Sequence, residues 1–107
     1  MIYLNEENFD KEVNQSKIPV IIDFYADWCM PCRMMAPIFE KLSKEYEGKM
    51  KFCKLNTEEN QGLSMQFDIQ AIPALVIMHK GKEFDRIIGY NNESALKQKI
   101  DKIIKSV

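Results

Sequence analysis

Apolar residues recur along this chain in two rhythms, and each predicts a different kind of element. Between Pro19 and Ala26 they run almost without interruption, as Val20-Ile21-Ile22-Asp23-Phe24-Tyr25-Ala26. β-branched and aromatic residues dominate the run, which predicts a strand covered on both faces, as in the middle of an α/β sheet. Lys51 to Leu55, Ala74 to Met78 and Phe84 to Ile88 read as further strands. The last two are joined through Lys80-Gly81-Lys82 as an antiparallel hairpin. Elsewhere the spacing changes to three or four residues. Met35, Ile38, Phe39, Leu42 and Tyr46 mark one face of a helix that starts after Cys29 and is ended by Gly48. Pro37 lies inside it and predicts a kink, because the ring removes one backbone donor and leaves an upstream carbonyl unpaired. Leu96, Ile100, Ile103, Ile104 and Val107 mark a closing helix, capped at Asn91 or Asn92. Gln61 to Phe67 predicts a short helix. Glu6 to Gln15 predicts another, with Phe9 and Val13 as a narrow stripe behind a cap at Asn5. The faintest element is a first strand around Ile2 to Leu4.

The resulting order is (β)α-βαβ-α-ββα. Strand–helix–strand predicts a right-handed parallel unit. A mixed sheet of four or five strands with helices on both faces accommodates every apolar stripe, so the fold class expected is α/β. No repeat or linker divides the chain, and 107 residues suit one domain spanning 1–107. The apolar share of 46% supports a packed core and argues against disorder. Charges nearly cancel, to a formal −1, which lowers the expectation of nucleic acid or an anionic membrane as partner. Met1-Ile2-Tyr3-Leu4-Asn5-Glu6-Glu7 lacks the basic and apolar regions of an export signal, and no apolar run approaches spanning length. A cytoplasmic location is therefore the expectation.

That expectation changes how the cysteines are read. There are three, and two are separated by only Met30 and Pro31. A secreted, disulfide-stapled domain calls for an even and dispersed set, whereas a close pair in a reducing compartment suggests redox chemistry or metal binding. Completing a metal site would require Cys53 and His79, far apart in the chain from each other and from the pair. No second C-x-x-C is present, so a structural zinc site is disfavoured.

Cys29 follows a buried strand and precedes a helix, where open α/β sheets place their chemistry. The free N–H groups of the helix start favour an anion there, and Pro31 in the first turn costs no hydrogen bond. A helix terminus contributes about 0.3–1 kcal/mol, and one pH unit of thiol acidity corresponds to about 1.4 kcal/mol. The helix alone therefore lowers a thiol by less than one unit, and any further lowering needs hydrogen bonds to the sulfur. Cys29 is the better nucleophile. Cys32, one turn inside, is placed to attack a mixed disulfide and release the product.

Asp23 is the one carboxylate in an otherwise apolar strand. Buried, it must find a cation or hold a proton. Two readings stay open on spacing alone: a proton exchanger for a buried thiol, or a structural acid paired with Lys54 on the neighbouring strand. Cys53 reads as a small core residue, and His79, near the hairpin turn, as a surface residue.

The segment Asp23-Phe24-Tyr25-Ala26-Asp27-Trp28-Cys29-Met30-Pro31-Cys32-Arg33 resembles the active-site segment of the thioredoxin family. Ala36-Pro37, Lys54-Leu55-Asn56, Ile72-Pro73-Ala74 and Gly89 extend the resemblance over essentially the whole chain. It implies a thioredoxin fold with a four- or five-stranded sheet, and a dithiol in which Cys29 attacks a substrate disulfide and Cys32 resolves it. It implies that Asp23 assists proton transfer at Cys32, with Lys54 as its partner. Pro73 is then cis and shapes the substrate groove, and Trp28, Met30, Pro31, Ile72, Ala74 and Gly89 form an apolar collar for substrates. Implied partners are protein disulfides and a thioredoxin reductase or another dithiol reductase. No cofactor, metal, nucleic acid or membrane is implied, and a monomer is expected.

The chain departs from the family at Met30, where the common dipeptide between the cysteines is Gly-Pro, so the usual redox poise does not carry over. Ala74 stands where thioredoxins often have Thr. Other functions compatible with the same pattern are a specialised electron donor closer to glutaredoxins in its partners, an assembly subunit using the fold as a binding surface, and a metal-binding module. Retention of both cysteines with Asp23, Trp28 and Pro73 disfavours the last two.

Overall fold

In the computed structural model, which describes residues 1–107, the long apolar run forms β2 (Val20–Tyr25) at the centre of a five-stranded sheet. Its neighbours are β3 (Lys51–Asn56), paired in parallel, and β4 (Ala74–His79), paired antiparallel. The edges are β1 (Ile2–Tyr3), parallel to β3, and β5 (Lys82–Ile88), antiparallel to β4, giving the order β1-β3-β2-β4-β5. The faint first strand is thus real, at two residues. Lys80 and Gly81 make the hairpin turn, both at positive φ (53° and 77°), as a two-residue turn that follows the sheet's twist requires.

Alternation along β2 assigns each side chain to a face. Ile21 packs with Met35, Phe39 and Leu42 of α1 (Met30–Glu45) and with Leu96 and Ile100 of α3 (Glu93–Ser106). Ile22 and Phe24 face the other way, into a second core with Phe9, Val13, Cys53 and Leu63, the last from α2 (Gln61–Gln66). Helices therefore cover both faces. On the α1 side the two long helices are also tied by Lys41–Glu93 (2.8 Å) and Lys97–Glu45 (3.1 Å), and the Tyr46 hydroxyl donates to the Asp101 carboxylate. These ion pairs are exposed, so the apolar contacts carry most of the stability. No helix is long and apolar enough to cross a membrane.

Helix ends follow their local chemistry. The Asn92 side chain accepts from the Ala95 N–H (2.9 Å) and caps α3. Pro37 is accommodated without breaking α1, with its ring on the exposed face. Gly48 (φ 84°) lies in the turn beyond the last helical residue. The predicted first helix departs from expectation. The Asn5 side chain accepts from Glu7 and Asn8 N–H at 2.8 and 2.9 Å, but this organises the turn before the helix rather than capping it. The helix itself is shorter than predicted, Asp10–Asn14, has Phe9 at its cap position with no side-chain cap bond, and is wound as a π-helix. The Gln15 N–H reaches back five residues to the Asp10 carbonyl (3.0 Å), and the Asn14 and Gln15 side chains close on the Asp10 carboxylate at 3.0 and 2.7 Å. With only Phe9 and Val13 buried in this segment, its core contacts do not force the tighter winding.

Candidate active site

β2 ends at Tyr25, and after a short turn the chain enters α1 with Cys29 as its cap residue, in extended geometry (φ −84°, ψ 110°). The Cys29 sulfur accepts from the Cys32 backbone N–H at 3.3 Å, so one of the unpaired donors of the helix start is aimed at it. Cys29 and Cys32 are joined by a disulfide with Cα atoms 5.3 Å apart. Both are buried and form a small cluster with Ala26, flanked by Tyr25 and Ile72. In the reduced state the same N–H and the helix terminus favour a thiolate on Cys29.

The other wall comes from the start of β4. The Ile72–Pro73 bond is cis, and the Ile72 carbonyl oxygen lies 3.8 Å from Cys29 Sγ. The Pro73 carbonyl accepts from the Gly89 N–H (2.8 Å), which ties the entry of β4 to the end of β5. Gly89 has φ 90°, a conformation that side-chain-bearing residues adopt only with strain.

The collar is brought together in part. Trp28 and Met30 are 70% and 61% exposed, Pro31 is exposed, and Ile72 and Gly89 are half-buried, so an apolar rim borders a buried disulfide. Ala74 does not belong to it. Its side chain is fully buried in the core on the α2 side of the sheet, because the first residue of β4 points there in the strand's alternation. Sequence reasoning also missed what orients Trp28, whose indole N–H donates to Glu58 at 3.3 Å. The Asn56 side chain accepts from the Glu58 and Glu59 N–H groups (2.9 and 3.2 Å), shaping the loop that carries Glu58. The signal for this was Asn at the end of a strand before polar residues, an Asx-turn pattern.

Asp23 lies on the face of the sheet that α1 covers, is 1% exposed, and has no hydrogen-bond partner on either carboxylate oxygen. Burial pushes its pKa up to about 6, against a smaller lowering by Lys54. Lys54 is its register partner on β3, but the two form no ion pair. The Lys54 ammonium sits over the Tyr25 ring instead, 4.4 Å from its centroid. The ion-paired structural acid is therefore corrected, while an acid poised near neutrality stands.

Cys53 is fully buried in the α2-side core, and burial pushes its thiol up to about 12. His79 is half-buried rather than a surface residue, and its Nδ1 is enclosed without a partner. It closes β4 opposite Lys82 in the hairpin register. No three His, Cys, Asp or Glu side chains are arranged to hold a metal.

Comparison with known proteins agrees with this geometry. The thioredoxin family model matches residues 1–102. Thioredoxin 1 of Nostoc sp. is 39% identical over 99 residues, covering 92% of each chain. Thioredoxin of Rickettsia felis is 38% identical over 101 residues, covering 94% of this chain and 96% of its own. The chloroplastic M-type thioredoxin of Pisum sativum is 41% identical over 101 residues, 94% of this chain and 59% of that longer one. Matched by the family model over residues 1–102 and 38–41% identical to these relatives, and carrying a Cys29–Cys32 redox disulfide on a five-stranded mixed sheet, the chain belongs to the thioredoxin family and is a thiol–disulfide oxidoreductase.

Proposed function

We propose that the chain reduces disulfides in protein substrates, with Cys29 attacking, Cys32 resolving and Asp23 carrying the proton. The observation that supports this reading is the buried Cys29–Cys32 disulfide, bordered by exposed Trp28 and Met30, together with a buried, unpartnered Asp23 on the face of the sheet that α1 covers. The Cys29 thiolate attacks one sulfur of the target; a Cys29–target bond forms as the target's S–S bond breaks and its other sulfur leaves as a thiolate. Cys32, its proton passed to Asp23, then attacks Cys29 Sγ. The internal disulfide forms and the second target sulfur leaves, so the target gains two electrons and, with two protons, becomes a dithiol. A thioredoxin reductase, or another dithiol reductase, returns two electrons to this protein.

Asp23 suits the proton step because its pKa of about 6 allows exchange near neutrality. Lys54 acts here as a nearby charge rather than an ion-pair partner. Pro73, buried and cis, shapes the groove from behind, and Trp28, Met30, Pro31, Ile72 and Gly89 receive the substrate. One chain supplies all these groups, so a monomer suffices, and a reducing compartment such as the cytoplasm fits the need for recharging.

Insulin reduction, driven by NADPH and a thioredoxin reductase, tests the proposal. The wild-type protein should precipitate the insulin B chain, Cys29→Ser should not, and Cys32→Ser should accumulate a mixed disulfide visible by mass spectrometry. Activity persisting in Cys29→Ser would remove the assignment. Refusal of electrons from every thioredoxin reductase, with turnover under glutathione, would redirect it to a glutaredoxin-like donor.

A further inference from the structure

Asp23 and Lys54 are Cα partners on adjacent strands, and alternation directs both side chains to the face covered by α1. A lysine in that position has two acceptors within reach. One is the carboxylate directly opposite, and the other is the ring of Tyr25, two residues further along β2 on the same face. The chain takes the second, with the ammonium 4.4 Å from the ring centroid and both carboxylate oxygens left bare. Solvation explains the choice. Tyr25, Cys32 and Lys54 line an open hollow of about 410 Å³ at the sheet's end, so the ammonium keeps water on one side while the ring's electron-rich face holds it on the other. Moving to Asp23 would strip that water away in an apolar interior.

We propose that Tyr25 is a positioning residue for the dithiol's proton chemistry, its ring holding Lys54 out of ion-pair reach of Asp23. The proposal rests on the reading of Asp23 as proton carrier and adds the residue that keeps it one. The charged and titratable groups around Asp23 are few. β3 supplies Lys54, and α1 supplies Cys32 with Arg33 beside the hollow. The turn before α1 supplies Asp27, also at the hollow, and the register partner on β4 is apolar Leu75. Only Lys54 combines positive charge with a register position opposite Asp23. Its release would favour the ionised carboxylate and weaken Asp23 as a base at neutral pH.

Carboxyl ¹³C NMR of the oxidised protein, with the signal assigned by Asp23→Asn, follows Asp23 directly. In Tyr25→Leu its titration midpoint should fall by at least half a pH unit, while Tyr25→Phe, which keeps the ring, should leave it in place. Lys54→Met should raise the midpoint, and adding Tyr25→Leu to Lys54→Met should then have no effect. An unchanged midpoint in Tyr25→Leu overturns the proposal. So does an equal fall with and without Lys54, which would mean that the leucine merely admits water. Fluorinated phenylalanines at position 25 cover the case in which Tyr25→Leu does not fold. They drain charge from the ring face at nearly constant shape, so each added fluorine should lower the midpoint, and a series that leaves it fixed refutes the idea. None of these measurements needs turnover. Failure of Asp23 as proton carrier would appear as unchanged insulin kinetics in Asp23→Asn, a separate result.

Discussion

Replacing Asp23 with Asn should make the stability of this protein less dependent on pH, with a size set by burial. The carboxyl's pKa rises from an ordinary 3.8 to about 6 because folding removes it from water and offers no hydrogen bond in return. Below pH 3.8 the group is protonated in both folded and unfolded chains, so it imposes no charge penalty. Between 3.8 and about 6 the unfolded chain releases its proton while the folded one keeps it, and stability declines as pH rises. Above 6 both are ionised and the whole penalty is present. At about 1.4 kcal/mol per pH unit, the interval corresponds to about 3 kcal/mol, a large share of the 5–15 kcal/mol typical of a domain. An amide at this position has its own cost of burial, but that cost does not vary with pH. Urea unfolding of the oxidised wild type and Asp23→Asn at pH 4, 6 and 8 provides the assay. The stability difference should shift by about 2.5 kcal/mol in favour of the variant between pH 4 and pH 8, since the unfolded carboxyl is already more than half ionised at pH 4, and other titrating groups cancel in the subtraction. A difference that stays flat, or one that moves toward the wild type, would refute the inference that the carboxylate is bare.

Two further outcomes follow from burial and backbone geometry. Iodoacetamide at pH 8 should alkylate Cys29 in the reduced native protein and spare Cys53, whose thiol is enclosed and pushed up to about 12; peptide mapping that finds Cys53 modified before unfolding would contradict its place in the core. Gly89→Ala should cost about 1–2 kcal/mol in urea unfolding, from backbone strain alone, because φ is 90° and an added Cβ meets nothing within 4 Å. A neutral substitution there would count against that strain.

Strands and helices were legible wherever the pattern was long. Val20 to Tyr25 and the stripe from Met35 to Leu42 carry their periodicity in consecutive residues, and both elements form as read. Glu6 to Gln15 was less informative, since two buried positions set a face without setting the winding, and the wider winding goes with Asn14 and Gln15 side chains closing on Asp10. Glu58 was invisible as a site residue because its role depends on Trp28, thirty positions away in the chain and adjacent only after folding.

By itself the sequence determined the α/β architecture, the place of the dithiol at a strand-to-helix junction, and the presence of one carboxylate in the central strand. These are local properties, written in spacing along the chain and in residue chemistry. Tertiary structure alone decided that Ala74 is sealed inside a core, that Asp23 has no partner, and that Lys54 rests on Tyr25. Such outcomes depend on which surfaces meet across the sheet and on how much water survives between them. A lysine opposite an aspartate in register has the choice of both neighbours, and the hollow at the sheet's end is what selects the ring.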